Sequence, residues 1–555
     1  MKKLLALLLC VTMCFGLCSA AVAEAAEERP YYEVKVLTTL ATTVQKSDET
    51  PVGQVIKDKF NIVFDFIPYT GDYKEKCNLM LAGGDYPEIV RLEYNEMVMK
   101  YADAGVLIDL EPYIANSAHF KTRYAEQMPF FRQASGQGKV YSWQSDVPNQ
   151  MEVKAEFNDV LVRTDALEAQ GWPKLLSVSD YMAFIEKAVE LCPETNGMPT
   201  IGLTCPMGES WGLTGVIGQM YDKSAPYIQT AGMRSFIWNE EEEKFEYRFL
   251  NKEVQDNLRF FNQLYQKGLL DPDFFTDMGT QTEAKMSQGL PIVVWYSVWL
   301  MDAANSRLAS AGMEDLSYIK MPIRSDEQAA CGDKRLARNE VTRPYDSYAI
   351  TDKAVDPDRL FELIDWACSD EGQILLQSGI EGVHYKYVDG TRVPTDEFIK
   401  NCNDADWRYA QGFDLMLFLG RYNTIAEDGA AYDLRKDPYW RDQLTLNDRQ
   451  KEALAALGWE NSNQWWFENS VTTAHSLPSS VEIDPQSSLG LQQQKMLEHW
   501  TKAAAALVVS PTDADFEALL AETEQKFWDL NPDRVLEEAT RLYQEAKESL
   551  DALNY

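Results

Sequence analysis

The clearest nucleophile motif in the sequence is GESWG at residues 208–212, which fits the pattern G-x-S-x-G with Ser210 as the serine. In hydrolases that use this motif, the serine lies on a sharp turn between a strand and a helix. Here Pro206 interrupts the chain between a strand predicted over 199–204 and the serine. The motif is therefore weak evidence for a nucleophile, and a secreted esterase is kept only as an alternative function. A glycosidase is another, although 87 acidic residues leave its two carboxylates unassigned.

Metal and nucleotide chemistry finds little support in the sequence. It contains no Walker A motif, no H-E-x-x-H, no G-x-G-x-x-G and no C-x-x-C. The histidines number four and are scattered, at His119, His384, His475 and His499. We therefore expect no cofactor and no metal site.

Aromatic side chains at the end of a predicted strand suggest binding chemistry instead. The segment VVWYSVW (293–299) contains Trp295, Tyr296 and Trp299. Sugar rings present flat C–H faces that pack on indole rings, while nearby polar groups bond the hydroxyls. The alternative for both tryptophans is a place in the hydrophobic core, which is favoured more for Trp295 than for Trp299, and aromatic content (12%) does not decide between the two roles.

The N-terminus predicts export. Lys2 and Lys3 precede an apolar stretch over 4–17 and a small-x-small site at 21–23, which is typical of a secretory signal peptide covering 1–23. The stretch is shorter than the roughly 20 residues of a membrane span. We expect a secreted protein, extracellular or associated with the cell surface, or periplasmic where an outer membrane exists. The residues before Cys10, Cys14 and Cys18 do not form a good lipobox, which leaves tethering open.

Charge and cysteine content exclude other classes. The formal net charge of −35 would repel nucleic acid and anionic membranes. Only six cysteines follow the signal, too few for a disulfide framework in a chain of 555 residues. Cys192 and Cys205 are close enough in sequence to pair, and buried free thiols are the other interpretation.

The first third of the chain predicts an α/β unit. Strands over 34–40, 61–69 and 87–92 alternate with helices over 51–60 and from about 73, an order typical of a parallel sheet with helices on both faces. Asp72 is a candidate cap of the second helix. Gly83 and Gly84 are expected to end it, so the conspicuous stretch LAGGDYPEIV is interpreted as a turn before a strand.

The rest of the chain predicts a second α/β unit and a mostly helical end. Further strands are expected over 138–143, near 160, 199–204, 290–295 and 345–351, and helices over 178–191 (capped by Ser179 or Asp180), 253–268 and 356–379. The acidic run 239–245 predicts an exposed hairpin tip. Residues 400–555 are predicted to be mostly helical.

Several segments together resemble the extracellular solute-binding proteins of ABC importers, family 1, of the carbohydrate type and the lipoprotein-like branch. They are NLMLAGGDYPEIV, KYADAGVLIDLEPYI (100–114), VLVRTDALEAQGW, FFNQLYQKGLLDPDFF and LIDWACSDEGQILLQSGIEGVHYKYVDG (363–390). The resemblance implies two α/β lobes joined by a hinge that closes around a ligand. It assigns 31–142 plus 320–378 to lobe 1, and 143–319 plus 379–555, with a helical C-terminal extension, to lobe 2.

The resemblance also implies a function and a set of ligand contacts. A carbohydrate, expected to be an oligosaccharide, would be bound without chemical change and passed by a monomer to the permease of an ABC transporter. The same fold also suits a peptide or another small solute. Arg163 would either contact the ligand or brace the hinge. The implied ligand-binding residues are Thr42, Thr43, Glu93, Tyr94, Asn95, Trp143, Gln144, Arg163, Trp211, Trp295, Tyr296 and Trp299.

One departure from the family concerns calcium. Related alginate-type binders carry a D-x-N-x-N calcium loop after the helix near residue 190. Here the corresponding stretch reads CPETNGMPT (192–200) and lacks those carboxylates. We therefore expect no calcium there.

Overall fold

The computed structural model describes most of the chain after the predicted signal peptide. The described residues are 29–38, 42–69, 73–92, 95–149, 159–209, 212, 227–229, 236–239, 242–295, 298–331, 336–339, 347–473, 477–481, 483–484 and 486–553. The predicted signal peptide (1–23), Asp72, Ser210 and His475 lie outside these residues. Within the described part of the chain, every helix falls short of the length and apolarity that a bilayer crossing requires.

Secondary structure alternates along most of the chain. The strands are β1 (Tyr32–Thr38), β2 (Ile62–Pro68), β3 (Ile89–Leu92), β4 (Trp143–Gln144), β5 (Asp146–Asn149), β6 (Val160–Arg163), β7 (Glu194–Thr195), β8 (Met198–Pro199), β9 (Ile201–Thr204), β10 (Tyr227–Gln229), β11 (Phe236–Asn239), β12 (Lys244–Tyr247), β13 (Pro291–Trp295), β14 (Tyr318–Met321), β15 (Leu336–Asn339), β16 (Ser347–Ile350), β17 (Tyr385–Val388), β18 (Thr391–Pro394), β19 (Arg421–Asn423) and β20 (Ser470–Thr473).

The α-helices dominate the C-terminal part. They are α1 (Pro51–Phe60), α2 (Tyr73–Gly83), α3 (Asn95–Asp103), α4 (Glu111–Asn116), α5 (Phe120–Arg123), α6 (Met128–Ala134), α7 (Thr164–Ala169), α8 (Val178–Leu191), α9 (Lys252–Gln266), α10 (Gly279–Ser287), α11 (Met301–Ser310), α12 (Asp326–Cys331), α13 (Pro357–Ala367), α14 (Asp370–Ser378), α15 (Asp396–Asn401), α16 (Ala405–Gln411), α17 (Arg441–Thr445), α18 (Asp448–Leu457), α19 (Gln464–Glu468), α20 (Ser488–Val508), α21 (Asp513–Trp528) and α22 (Pro532–Leu553).

The chain forms two compact units, each with its own sheet and core. Unit 1 consists of 1–151, 344–444 and 552–555, and unit 2 of 152–343 and 445–551. The sheet of unit 1 has the order β2-β1-β3-β16-β4, in which β1 pairs parallel with β2 and β3, while β16 runs antiparallel to β3 and β4. The predicted β-α-β-α-β start is thus confirmed, and the sheet it opens is mixed.

Local sequence explains the elements of unit 1. Helix α1 begins with Pro51 after Thr50, whose hydroxyl accepts a hydrogen bond from the backbone of Gly53. Its buried residues Val52, Ile56 and Phe60 are spaced four apart and face the core of the unit. The prediction for the LAGGDYPEIV stretch is confirmed, since α2 ends at Gly83 and Gly84 adopts a positive φ of 69°.

The sheet of unit 2 has the order β14-β6-β13-β9 and is also mixed. Helix α8 spans the predicted residues 178–191, but its cap is Ser177, with Asp180 completing a capping box. The prediction of Ser179 as the cap was therefore wrong. Asp180 takes part in the capping box but is not itself the cap. The acidic run lies between β11 and β12, where Glu242 and Glu243 are exposed, as predicted for a hairpin tip.

Two sequence-based boundaries differ from the structure. Residues 138–142 form no strand, and only Trp143 and Gln144 pair with β16. The helix predicted over 356–379 is two helices, α13 and α14, because Ser369 begins a new one by accepting a bond from Gly372. The C-terminal part, predicted to be mostly helical, includes the long helices α21 and α22.

The segment 379–444 belongs to unit 1, although the resemblance placed it in lobe 2 together with 143–151. Polar side chains of α14 hold it there. Gln373 donates to the carbonyl of Gly420 and accepts from the backbone of Tyr422, and Ser378 donates to the carbonyl of Tyr432. These bonds are made by a helix that is itself part of unit 1. Conversely, 320–343 lies in unit 2, where β14 pairs with β6.

Candidate functional site

The described contact residues predicted for unit 1 lie after β1, after β3 and in β4. Thr42 and Thr43 follow β1, where the Thr42 hydroxyl accepts a bond from the backbone of Val44 and Thr43 is exposed. Asn95 begins α3. Glu93 and Tyr94 lie outside the described residues, as does the side chain of Asn95.

Trp143 and Gln144, which form β4, are buried. The indole of Trp143 is 0% exposed and its Nε1 donates a hydrogen bond to the carbonyl of Phe418 at 2.7 Å. The carbonyl of Gln144 accepts a bond from the hydroxyl of Tyr124 at 2.8 Å. Trp143 is part of the core cluster of unit 1. This placement favours a structural role for Trp143, and we do not include it among the proposed ligand contacts.

Arg163, at the end of β6, makes a bidentate ion pair. Its Nε and Nη2 donate to Asp165 at 2.8 and 2.6 Å, and Nη1 donates to the Thr195 hydroxyl. Burial alone would lower the pKa of this guanidinium, but the Asp165 carboxylate more than offsets it and the pKa is raised. Arg163 therefore stays charged within unit 2. Of the two roles left open by the sequence, its contacts favour the structural one.

The two tryptophans near the end of β13 differ in exposure. Trp295 is 0% exposed and its ring lies 5.2 Å from that of Phe261 and 6.1 Å from that of Phe260. Trp299 lies in a short 3₁₀ turn and is 46% exposed. Tyr296 between them lies outside the described residues.

The loop that follows β9 contains the GESWG motif. Its residues 205–209 and 212 are described, whereas Ser210 and Trp211 are not. The backbone of Gly208 donates to the carbonyl of Asp277, and Glu209 accepts a bond from the backbone of Gly279. A short hairpin of β7 and β8 occupies the stretch 192–200 in which the sequence lacks calcium ligands.

No family model matches the sequence. The chain is 24% identical over 404 residues to lipoprotein LipO of Bacillus subtilis (strain 168), covering 70% of this chain and 74% of that protein.

Two solved structures match almost the whole chain. The alginate-binding protein AlgQ2 without calcium ion superimposes with a TM-score of 0.60 at 15% identity, covering 94% of this chain and 99% of that one. The S. pneumoniae ABC-transporter substrate-binding protein FusA in complex with kestose gives 0.58 at 15% identity, covering 93% and 99%. This chain has the fold of a solute-binding protein of an ABC transporter. The resemblance inferred from the sequence is confirmed.

Few of the predicted site residues that the structure describes have side chains accessible to solvent. Thr43 and Trp299 are exposed, Thr42 is partly exposed, and Trp143, Gln144, Arg163 and Trp295 are buried. Thr42 and Thr43 belong to unit 1 and Trp299 to unit 2. In each unit taken by itself, at least one side chain of the predicted set is accessible.

The described residues contain neither a metal-binding cluster nor a disulfide bond. There, no three side chains of His, Cys, Asp or Glu are placed so that they could hold a metal ion. Cys192 and Cys205 are both free thiols, as are Cys77, Cys368 and Cys402. The pairing of Cys192 with Cys205 is therefore not made.

One cluster next to the predicted loop was missed from the sequence. The ammonium of Lys285 lies within 3.1 Å of carboxylates from Asp271, Asp273 and Asp277. The aspartates stand in the segment DPDFFTD, and the lysine follows eight residues after the last of them. Three aspartates within seven residues were the available signal. The lysine's place in α10 gave no indication that it would face all three.

Proposed function

We propose that this protein captures an oligosaccharide outside the cell membrane and delivers it unchanged to the permease of an ABC transporter. The observation that carries the proposal is the match of nearly the whole chain to FusA, a substrate-binding protein whose structure contains kestose. AlgQ2, with a comparable TM-score, is an alginate-binding protein. LipO is a lipoprotein, which supports a location at the cell surface.

Trp299 is the residue we propose to stack on the sugar. It is the exposed tryptophan of the aromatic segment after β13, and its indole offers a flat apolar face to a pyranose or furanose ring. Trp211, Tyr296, Thr42, Thr43, Glu93, Tyr94 and Asn95 complete the proposed set. We propose that ligand contacts with both units favour the ligand-bound conformation by shifting the population toward it.

The test is calorimetric titration and thermal shift of the chain without residues 1–23. The probes are kestose, an alginate trisaccharide and a tripeptide. A ligand that binds only the folded state raises the melting temperature by mass action. We expect a shift with one of the sugars and recovery of that sugar intact. A shift with the tripeptide alone, or recovery of a cleaved sugar, would contradict the proposal.

A matched pair of variants locates the binding site. Trp299→Ala should weaken sugar binding by about tenfold, because loss of an aromatic stacking contact costs on the order of 1–1.5 kcal/mol. Trp528 at the end of α21 is also 46% exposed and belongs to the same unit. Trp528→Ala should leave the affinity unchanged. Equal affinities for the two variants would show that Trp299 does not contact the ligand.

A further inference from the structure

Helix α19 brings two adjacent tryptophans, Trp465 and Trp466, to the sheet of unit 2. Trp466 is 0% exposed, and its indole Nε1 donates a hydrogen bond to the carboxylate of Asp159 at 2.6 Å. Trp465 is partly exposed, and its ring lies edge-on to that of Trp466 at a centroid distance of 5.8 Å. The buried indole therefore anchors the helix, while the neighbouring indole reaches the surface.

A buried arginine covers one face of Trp465. Nη1 of Arg324 donates to the carboxylate of Asp159 at 2.9 Å, and these two side chains are 2% and 0% exposed. The guanidinium carbon of Arg324 lies over the Trp465 ring, 4.7 Å from its centroid, where the electron-rich face of an indole attracts a cation. Since one face is covered, a sugar ring that stacks on Trp465 must approach the opposite face.

The strand register places these side chains at the same edge of the sheet as Trp299. Arg324 lies three residues after the end of β14, and Asp159 directly precedes β6. The last residues of β14 and of β13 both pair with Val160, the first residue of β6. Trp299 lies four residues after the end of β13. Trp465 and Trp299 therefore lie at one edge of the sheet, on either side of β6.

The spacing of the strands separates the two indoles. In the order β14-β6-β13-β9, the strands β14 and β13 are second neighbours. Neighbouring strands lie about 4.8 Å apart, so the ends of β14 and β13 are roughly 10 Å apart. A single pyranose or furanose ring is too small to stack on two indoles held at that separation. A ligand that contacts both must contain at least two sugar units.

We propose that Trp465 is a second sugar-stacking residue, which binds a different unit of the oligosaccharide from the one that Trp299 binds. This inference rests on the proposed function, since it assumes that the ligand is a sugar and that Trp299 contacts it. It adds a ligand-binding residue on α19 and a minimum ligand length of two sugar units.

A second tryptophan covered by an arginine provides a matched control. Trp172 is partly exposed, and the guanidinium carbon of Arg449 lies over its ring, 5.2 Å from the centroid. Nε of Arg449 donates to the hydroxyl of Thr164, which directly follows the last residue of β6. Trp172 therefore resembles Trp465 in exposure and in its covering arginine, and it belongs to the same unit. It differs in lying toward the opposite edge of the sheet.

The first experiment is calorimetric titration of the chain without residues 1–23 with kestose and with an alginate trisaccharide. Loss of a stacking contact should weaken binding by about tenfold in Trp465→Ala. Trp465→Phe, which keeps an aromatic face, should bind more tightly than Trp465→Ala. Trp172→Ala should bind as the unmodified chain does.

The outcomes separate this inference from the proposed function. A sugar that binds Trp465→Ala as tightly as the unmodified chain would overturn the inference and leave the proposed function intact. An equal loss of affinity in Trp172→Ala would also overturn it, because the loss would not depend on the edge of the sheet. If neither sugar binds the unmodified chain, the proposed function and the inference both fail.

A second substitution covers the case in which Trp465→Ala does not fold. Trp465→Leu retains an apolar side chain against Trp466 but offers no flat aromatic face. Near-UV circular dichroism checks that this variant is folded, and we expect the same loss of about tenfold in sugar affinity. A normal affinity in folded Trp465→Leu would overturn the inference.

The second experiment tests whether the two indoles bind different sugar units. Substitutions more than about 7–10 Å apart that share no partner usually have additive effects. The double variant Trp299→Ala/Trp465→Ala should therefore lose about a hundredfold in affinity, the product of the two single losses. A double variant that binds no more weakly than the weaker of the two single variants would show that both indoles act on the same sugar unit. That result would overturn the minimum length of two units.

Discussion

Two strand ends, one in each unit, carry tryptophans that the resemblance implied as ligand contacts. Trp143 begins β4 in unit 1 and Trp299 follows β13 in unit 2. Trp143 is fully buried, and the carbonyl of Phe418 accepts the hydrogen bond of its indole. Trp299 is 46% exposed. The difference arises from what covers each strand end. Trp143 is covered in the core of unit 1, where its hydrogen-bond partner Phe418 comes from a part of the chain far away in sequence.

The largest effect is expected at Trp143. Trp143→Ala removes a fully buried ring and leaves a cavity in the core of unit 1, which typically costs about 3–5 kcal/mol. Urea unfolding followed by near-UV circular dichroism measures this loss. If Trp143→Ala unfolded at the same urea concentration as the unmodified chain, the assignment of Trp143 to the core would be wrong.

The second largest effect on stability is expected at Arg163, a buried residue in the sheet of unit 2. Arg163→Met removes the ion pair with Asp165 and the bonds to Thr195 and the carbonyl of Gly289. Asp165 is 28% exposed, so water compensates part of its lost partner. We expect a loss of roughly 2 kcal/mol in the free energy of unfolding, measured by urea unfolding, with sugar affinity unchanged. A loss of affinity without a loss of stability would instead place Arg163 among the ligand contacts.

Unit 1 also contains a group whose protonation should affect its stability. His384 is 1% exposed, its Nδ1 accepts a bond from the backbone of Ile380, and its Nε2 contacts Gln411. Burial lowers its pKa below the usual value of 6.5. The neutral ring therefore stabilises the fold above about pH 6.5, and this contribution is lost as the pH falls and the unfolded chain takes up the proton first.

The free energy of unfolding should accordingly fall less steeply between pH 7.5 and pH 5 in His384→Gln than in the unmodified chain. The exposed His119 in the same unit provides the control, and His119→Gln should retain the steep fall. Urea unfolding at a series of pH values measures the slopes. Parallel slopes in His384→Gln and the unmodified chain would contradict the expectation.

The sequence predicted local elements better than it predicted which of them meet. Helix α8 and helix α1 have the predicted bounds because their apolar spacing and caps lie within a few residues of each other. The membership of 379–444 in unit 1 depends on hydrogen bonds between Gln373 and residues 420–422, and on the bond from the Ser378 hydroxyl to the carbonyl of Tyr432. Pairings at that separation leave no periodic signal in the sequence.

In the candidate site, too, the sequence predicted the local segment but not the tertiary contacts of its side chains. The sequence located the aromatic segment at the end of β13 and favoured Trp299 over Trp295 as the ligand contact. The four-residue spacing itself gave no indication of where the chain leaves the strand. Trp295 ends β13 with its ring against Phe260 and Phe261. Trp299 comes after the turn has begun and lies beside the buried Leu300. Exposure at a strand end is a tertiary property.

The smallest effect on stability is expected at Trp299. Since the indole is 46% exposed, Trp299→Ala should change the free energy of unfolding by less than about 0.5 kcal/mol, in contrast to Trp143→Ala. Urea unfolding of the two variants side by side measures the difference, and sugar titration of Trp299→Ala should show the weakened binding described above. A large loss of stability in Trp299→Ala would mean that the turn after β13 depends on this ring. The two strand ends would then differ in exposure but not in role, and Trp299 would owe its place to the fold rather than to the ligand.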